Sequence, residues 1–172
     1  MSHPPHTWLR IARMQPLHHG HIDAIQQALE TGIERLIIGI GSSNESHTAE
    51  NPLHLEERMQ ILQTALEGYG VHKLVEIYPI PDFVDDARWV DHIQTQLPDF
   101  DTVISNNPWV IDIFAEQKKH ILQPVERIPV RASDIRQAII DNNIEFLRQY
   151  LLPHTLQHLH ELDIADRLSK IV

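Results

Sequence analysis

The sequence contains no cysteine, six glycines and few aromatic residues. Without cysteine it can form neither disulfide bonds nor thiolate metal sites, and the absence agrees weakly with a reducing compartment. Acidic residues outnumber basic ones by 24 to 14, which gives a formal net charge of −10. A broad nucleic-acid surface is therefore not expected, and any anion-binding site must be local.

Long apolar runs are also missing, so no segment of the sequence is long enough to span a membrane. The first seven residues lack the basic and apolar regions of a signal peptide. We therefore expect a cytoplasmic protein with no membrane partner. The 172 residues, 42% of them hydrophobic, are enough for one domain with a sizeable core.

Short apolar runs alternate with segments of helical periodicity along the chain. The pattern predicts strands over residues 7–14, 35–41, 74–80 and 102–104, and a short strand with a connector within 121–128. It predicts helices up to residue 31, from 51 to 68, over 87–97, over 109–117, and from 133 onward, with Pro153 beginning the last group. Strands that alternate with helices indicate an α/β fold with a Rossmann-like, doubly wound parallel sheet. We expect a single domain over 1–172, with the core over about 7–130 and additional C-terminal helices over about 131–172.

One segment between the first strand and the first helix has the composition of a phosphate site. Residues 13–21 read Arg-Met-Gln-Pro-Leu-His-His-Gly-His. A parallel sheet binds its ligand at this edge, beside a helix N-terminus. Gly20 allows close backbone approach, and His18 and His21 lie three residues apart on one helical face. Two such imidazoles can donate hydrogen bonds to phosphate oxygens.

This segment resembles the His-x-Gly-His signature of the nucleotidylyltransferase superfamily, and its flanks resemble the loop of archaeal-type nicotinamide-nucleotide adenylyltransferases. Four later segments are similar to the same family: residues 38–52, 79–90, 105–108 and 130–136. Chance is the alternative for the first segment, because the chain has 13 histidines. Glu57-Arg58 also matches the family, although a weak surface ion pair is the alternative for Arg58.

The resemblance implies an enzyme that transfers the adenylyl group of ATP to nicotinamide mononucleotide, forming NAD and pyrophosphate by direct in-line attack. It implies Mg²⁺ bound through substrate phosphates, no metal held by protein ligands, and a homo-oligomer. One alternative is a sibling enzyme such as a phosphopantetheine adenylyltransferase. Another is a nucleotide-binding sensor without turnover. A metal site at His154 and His158 is not favoured, because no defined fourth ligand accompanies them.

The site residues follow from the matched motifs. The implied catalytic residues are Arg13, His18, His21 and Arg136. The implied ATP-binding residues are Met14, Gln15, Gly20, Gly41, Ser42, His47 and Ser133. The residues implied to bind the nicotinamide nucleotide are Asp82, Asp86, Trp89 and Asn107. Trp89 would stack on the pyridinium ring, unless it is a core aromatic residue instead.

The sequence departs from the family pattern at several positions. Ala12 and Asn106 stand where glycine is usual, and Asn106 is expected to accommodate left-handed backbone. Glu50 stands where an arginine is common, and Arg131 is an additional cation. Asp86 replaces an asparagine; a carboxylate can accept from an amide N–H₂ but repels an acid, which favours the amide substrate.

Overall fold

Strand β2, Arg35–Ile40, is apolar and buried after its first residue and lies inside the sheet. Leu36 and Ile38 pack into one buried cluster, the first core, and Ile37 packs into another, the second core. A strand with two buried faces requires helices on both sides of the sheet. The strand therefore sets up the doubly wound architecture that the sequence predicts.

The computed structural model describes residues 6–171. Its sheet has five parallel strands in the order β3-β2-β1-β4-β5, where the others are β1 Thr7–Ala12, β3 Val75–Pro79, β4 Thr102–Ile104 and β5 His120–Leu122. The strand order reverses at β1, which pairs with both β2 and β4. Strands β2 and β3 are added on one side of β1, and β4 and β5 on the other. Such a switch point opens a crevice at the carboxyl ends of the strands.

The helices divide between the two faces. They are α1 His19–Glu30, α2 Leu55–Gly68, α3 Asp86–Gln96, α4 Pro108–Glu116, α5 Ala132–Ile140, α6 Ile144–Tyr150, α7 Pro153–Glu161 and α8 Ile164–Ser169, with a short 3₁₀ turn at His72–Leu74. Helices α3 and α4 cover the second core, and the others contribute to the first. Within residues 6–171, none of these helices has the length and apolar character to cross a membrane.

Among the element boundaries that differ from the sequence prediction, the end of β1 and the start of α2 have a clear structural cause. β1 ends at Ala12, two residues early, because Met14 has a φ of 53°. α2 begins at Leu55 instead of residue 51. The side chain of Gln15 accepts from the N–H of Leu53 and donates to its carbonyl, each at 2.9 Å, and holds that segment out of the helix.

The additional C-terminal helices are tied to α2 by an ion pair. Arg167 in α8 makes two hydrogen bonds to the carboxylate of Glu57, at 2.8 and 3.0 Å, and one to the carbonyl of Pro52. Both side chains are less than one-fifth exposed, at 18% and 16%. The carboxylate also accepts from the N–H of His54 and so caps α2. The pair therefore joins the helix that follows β2 to the end of the chain.

We expect Glu57→Gln to lower the free energy of unfolding at pH 7 by about 1–3 kcal/mol, because it leaves Arg167 without its counter-ion. Burial raises the pKa of Glu57, but the bonds from Arg167 and the His54 N–H outweigh it and lower the pKa overall. This stabilisation is present above the unfolded pKa of about 4.3 and is lost as the pH falls below it. Denaturant unfolding from pH 7 to pH 3 measures the difference, which should shrink on acidification.

The matched control is Asp166→Asn, which removes an exposed ion pair with Lys170 and should change stability little. Equal stability of Glu57→Gln and wild type at pH 7 would show that the buried pair does not hold α8 in place.

Candidate functional site

A cavity of about 690 Å³ opens at the carboxyl ends of β1 and β4. Three helix N-termini reach its wall, namely α1 at His18, α4 at Asn107 and α5 at Arg131. Each presents backbone N–H groups and the positive end of a helix dipole. The convergence makes the cavity a site for anionic ligands, and several phosphate groups can be accommodated there.

The cavity brings together about half of the residues that the sequence predicted for the site. Those in its wall are Arg13, Met14, Gln15, His18, Gly20, His21, Asn107 and Arg136. Those outside its lining are Gly41, Ser42, His47, Asp82, Asp86, Trp89 and Ser133. The wall also contains residues that the motif analysis did not assign: Arg10, Ser105, Asn106, Arg127 and Arg131. The sequence pointed to Arg10 only through its position as a cation within an otherwise apolar strand.

His18 and His21 form a stacked pair at the start of α1. Their ring centroids are 3.8 Å apart, with an interplanar angle of 27°. Nδ1 of His21 accepts from the backbone N–H of His18 at 3.3 Å, so a neutral His21 carries its proton on Nε2. Nδ1 of His18 is buried without a hydrogen-bond partner. A Cβ at Gly20 would lie 3.1 Å from the His18 ring, which explains why glycine suits that position.

Both histidines are neutral at pH 7. Burial, followed by the charge of Arg10, lowers the pKa of His18 to about 4. Burial also lowers the pKa of His21 well below its ordinary value, with further lowering by His18 and Arg10. A neutral imidazole offers one N–H donor and one acceptor, so the pair is suited to hydrogen bonding rather than to carrying charge.

Arg58 holds the loops around the cavity in place. It is 1% exposed and donates to the carbonyls of Arg13, Gly41 and Ser42 at 3.1, 2.8 and 3.1 Å. These loops follow β1 and β2 and have no ladder partners for those carbonyls. Burial lowers the pKa of Arg58 to about 10, which leaves the guanidinium charged at pH 7. The interpretation of Arg58 as a surface ion pair is therefore wrong.

Arg136 connects α5 to the loop after β1. It is partly buried and donates to the carbonyl of Gln15 at 2.9 Å. Burial lowers its pKa, with a further lowering by Arg13 and an opposite contribution from Glu50. The departure at Glu50 thus puts a carboxylate near enough to Arg136 to offset part of the lowering of its pKa. Ser133 is exposed in the first turn of the same helix.

The loop after β2 is joined through Arg58 to the loop after β1. Ser42 and His47 both have positive φ, at 48° and 58°, which fixes an unusual path after Gly41. The His47 ring packs edge-on against His54, with centroids 4.4 Å apart. Asp82, in the loop after β3, donates its N–H to Asn44 at 2.8 Å. The loops after β2 and β3 are therefore joined, although neither lines the cavity.

Trp89 is 5% exposed in the second core and packs against Trp109 and Phe114, with centroids 4.7 and 5.8 Å apart. Trp109 is 42% exposed and lines a separate groove of about 500 Å³ together with Asp86. The sequence allowed Trp89 either a core role or a stacking role, and this packing agrees with the first. It leaves little of the indole for a ligand to contact.

Asn106 and Asn107 occupy the turn after β4. The expectation of left-handed backbone at Asn106 is wrong, because its φ is not positive and its side chain instead donates to the carbonyl of Pro124 at 2.9 Å. Asn107 accepts from the N–H of Trp109 at 3.0 Å and caps α4. Among residues 6–171 there is no group of three or more histidine or carboxylate side chains arranged to hold a metal ion.

Comparison with known proteins agrees with this geometry. The model of the cytidylyltransferase-like family matches residues 11–138. A nicotinamide-nucleotide adenylyltransferase from Pyrococcus abyssi is 37% identical over 165 residues, which cover 95% of this chain and 87% of that protein. The enzyme of that name from Thermococcus onnurineus is 35% identical over 80% of this chain and 74% of its own.

Solved structures with a related fold include a bifunctional NMN adenylyltransferase/ADP ribose pyrophosphatase from Francisella tularensis, complexed with AMP and a manganese ion. The TM-score is 0.69 at 23% identity, over 80% of this chain. The match spans 42% of the Francisella chain. At this identity the likeness supports the fold.

Removal of the Arg58 donors should destabilise the protein. We expect Arg58→Met to lower the free energy of unfolding by about 3–5 kcal/mol, because the loop carbonyls lose their buried donor. Arg58→Lys should lose less, since an ammonium keeps the charge but not the planar fork. Chemical denaturation measures both. Arg148→Met, on the exposed face of α6, is the control, and an Arg58→Met variant as stable as this control would refute the assignment.

The titration of His18 should appear in the pH dependence of stability. Its folded pKa of about 4 lies below the unfolded value of about 6.5, so the unfolded chain binds the additional proton between these pH values. Stability should therefore fall as the pH drops through that window. We expect the free energy of unfolding of His18→Gln to fall less steeply with pH than that of the wild type. Denaturant unfolding at pH 7.5, 6, 5 and 4.5 measures both slopes. An unchanged slope would mean that His18 titrates normally in the folded state.

Proposed function

We infer the reaction from the family and from the cavity: this chain belongs to the cytidylyltransferase-like family and, within it, to the nicotinamide-nucleotide adenylyltransferases. We propose that it joins the AMP part of ATP to nicotinamide mononucleotide and forms NAD and pyrophosphate. The observation that carries the proposal is the convergence of three helix N-termini, the stacked histidines and several arginines on one cavity. Such a site suits two phosphorylated substrates.

The proposed reaction needs no general base. A phosphate oxygen of the mononucleotide forms a bond to the α-phosphorus of ATP, and the bond from that phosphorus to the β-phosphate oxygen breaks. The attacking phosphate is already ionised near neutral pH, and pyrophosphate leaves with the electron pair. Catalysis then consists of positioning and of stabilising charge in the transition state. Neutral histidines fit this chemistry, because they need only donate hydrogen bonds.

In this proposal, different residues contact different phosphate groups of ATP. Arg13 and His21 contact the α-phosphate, and His18 contacts the neighbouring oxygens. Arg136, with Ser133 at the N-terminus of α5, holds the β- and γ-phosphates that leave. The 2.9 Å bond from Arg136 to the loop carbonyl of Gln15 supports this role, because it fixes the guanidinium beside the first loop.

We propose that most of the remaining predicted residues contact ATP through their backbone groups. Met14 is 1% exposed in the first core, and the Gln15 side chain is bonded to Leu53, so both offer main-chain groups to the nucleotide. Gly20 allows the same close approach. Gly41 and Ser42 face the adenosine by their backbone, and His47 lies near the phosphates in this proposal.

Magnesium accompanies the substrate phosphates in this scheme. The described residues offer no carboxylate or histidine cluster, so the fitting ligands are substrate oxygens and water. The ion would neutralise phosphate charge. Arg13, Arg136 and the N–H groups of α1 and α5 would orient the phosphates around it.

We also propose that residues 1–172 form one domain, because Arg136 of α5 completes a site built on the first loop. A cytoplasmic location and a homo-oligomeric state stay predictions of the sequence.

The direct test is incubation of the protein with ATP, Mg²⁺ and one acceptor at a time. Formation of NAD from nicotinamide mononucleotide supports the proposal. Adenylylation of phosphopantetheine instead would indicate the sibling enzyme. Nucleotide binding without pyrophosphate release would indicate a sensor, an alternative for which Glu50 beside Arg136 is the motive.

We expect His21→Ala to lower kcat by about 10²–10³, because it removes a preorganised donor to charge that develops at the α-phosphate. Thermal unfolding should show that the variant is folded. Steady-state rates at saturating ATP measure the loss. A folded variant with near-normal turnover would remove His21 from the mechanism.

The nucleotide base is proposed to lie near Asn107, near Asp82 in the loop after β3, and near Asp86 and Trp89 in the first turn of α3. An ionised Asp86 accepts from the carboxamide but repels a carboxylate, so it should favour the amide over the acid mononucleotide. We expect Asp86→Asn to narrow this preference, measured as the ratio of kcat/KM for the two acceptors. Asp85→Asn is the neighbouring control, since Asp85 caps α3 through the N–H of Arg88. An unchanged ratio would place Asp86 outside base recognition, in keeping with its position in the separate groove.

A further inference from the structure

Arg10 is a cation in the cavity wall that has no partner among residues 6–171. It lies in the middle of β1, between Ile38 of β2 and Ile104 of β4, and lines the cavity wall. Its Nε is fully buried and has no hydrogen-bond partner. Within residues 6–171, its guanidinium makes neither a hydrogen bond nor an ion pair. The donors of its terminal guanidinium nitrogens are therefore not occupied by the described residues, and the side chain lines the cavity.

The carboxylates in the same wall do not compensate this charge. Asp23 accepts from Gln27 at 2.8 Å and lies 3.6 Å from Arg127, and neither it nor Glu126 lies within ion-pair distance of Arg10. Burial lowers the pKa of Arg10 to about 10, so the side chain remains charged at pH 7. A buried charge without a counter-ion is costly, and this cost is recovered when an anion binds beside it.

The surroundings of Arg10 distinguish it from the other cations of the site. It lies within β1 and lines the same cavity as His18 and His21, and its charge lowers the pKa of both histidines. Arg13 lies in the loop after β1, and Arg136 of α5 is bonded to the carbonyl of Gln15 in that loop. We call Arg13 and Arg136 the outer group of the cavity, and Arg10 with the two histidines the inner group.

We propose that Arg10, together with His18 and His21, forms an inner anion subsite that binds a phosphate group of a bound nucleotide. A guanidinium and two imidazole donors suit the tetrahedral oxygens of phosphate. The identity of the nucleotide rests on the proposed function, and the two sources of this phosphate are the mononucleotide and the α-phosphate of ATP. Since the reaction brings these two anions together, an additional buried cation beside them reduces their repulsion.

The test compares ligands that differ by one phosphate. Calorimetry on the wild type and Arg10→Met gives the affinity for nicotinamide mononucleotide against nicotinamide riboside, and for AMP against adenosine. Methionine keeps the unbranched stem but removes the charge. We expect the preference for the phosphorylated ligand to fall about 10- to 100-fold in one of these pairs, which identifies the phosphate that Arg10 binds. Unchanged preferences in both pairs would overturn the proposal.

The matched control is Arg148→Met, which makes the same change in net charge on the exposed surface of α6, outside the cavity. It should leave both preferences as in the wild type. If Arg148→Met lowers them as much as Arg10→Met does, the effect belongs to net charge, and the inner subsite is wrong. Arg10→Lys should restore part of the lost preference, since it returns a point charge without the planar fork.

Thermal unfolding separates a binding role from a structural one. Without ligand, Arg10→Met should be at least as stable as the wild type, because it removes an uncompensated charge from the interior. Its stabilisation by the phosphorylated ligand should be smaller than that of the wild type. A variant that is destabilised without ligand but keeps its full ligand-induced shift would show that Arg10 supports the fold.

These measurements do not depend on turnover. If the wild type forms no NAD but Arg10→Met loses phosphate discrimination, the reaction is refuted and the inner subsite stands. If the wild type forms NAD and the variant discriminates normally, the reaction stands and the inner subsite is refuted.

Discussion

The buried guanidinium of Arg58 is the constraint on which the site depends. The loops after β1 and β2 leave the sheet and turn through residues with positive φ, Met14 and Ser42, so their carbonyls cannot remain in the ladder. A buried carbonyl without a donor is costly. Arg58, in α2, supplies donors to both loops at once and fixes them relative to each other. Gln15 reinforces the arrangement by holding the segment before α2 through Leu53.

The site shows how an acidic protein can bind highly anionic ligands. The chain carries a net charge of −10, yet the cavity concentrates arginines and three helix N-termini. Local potential near a ligand is determined by the closest charges and dipoles, because salt screens the more distant ones. Net charge alone therefore argues against an extended nucleic-acid surface but permits a compact site for phosphates.

The phosphates and the nicotinamide base are assigned to different parts of the structure. The phosphates are assigned to the cavity with its helix N-termini and cations, whereas the base is assigned to Asn107 in the cavity wall and to Asp82, Asp86 and Trp89 outside that lining. Trp89 is packed beneath Trp109, and Asp86 faces the neighbouring groove. If the base binds here, Trp109 is the indole that is exposed to meet it, and Trp89 supports it from below.

The sequence by itself determined the parallel α/β architecture and the first loop, because periodicity, glycine positions and helix-starting prolines act over a few neighbouring residues. Pro153 at the start of α7 is an example. The resemblance of the motif residues also indicated the family that the comparisons show. Only the tertiary structure decided that Arg58 is an internal donor, that α2 begins three residues beyond Pro52, and that Arg10 has no counter-ion. Each depends on partners from distant parts of the chain, and local sequence patterns do not specify which groups the fold brings within a few ångströms.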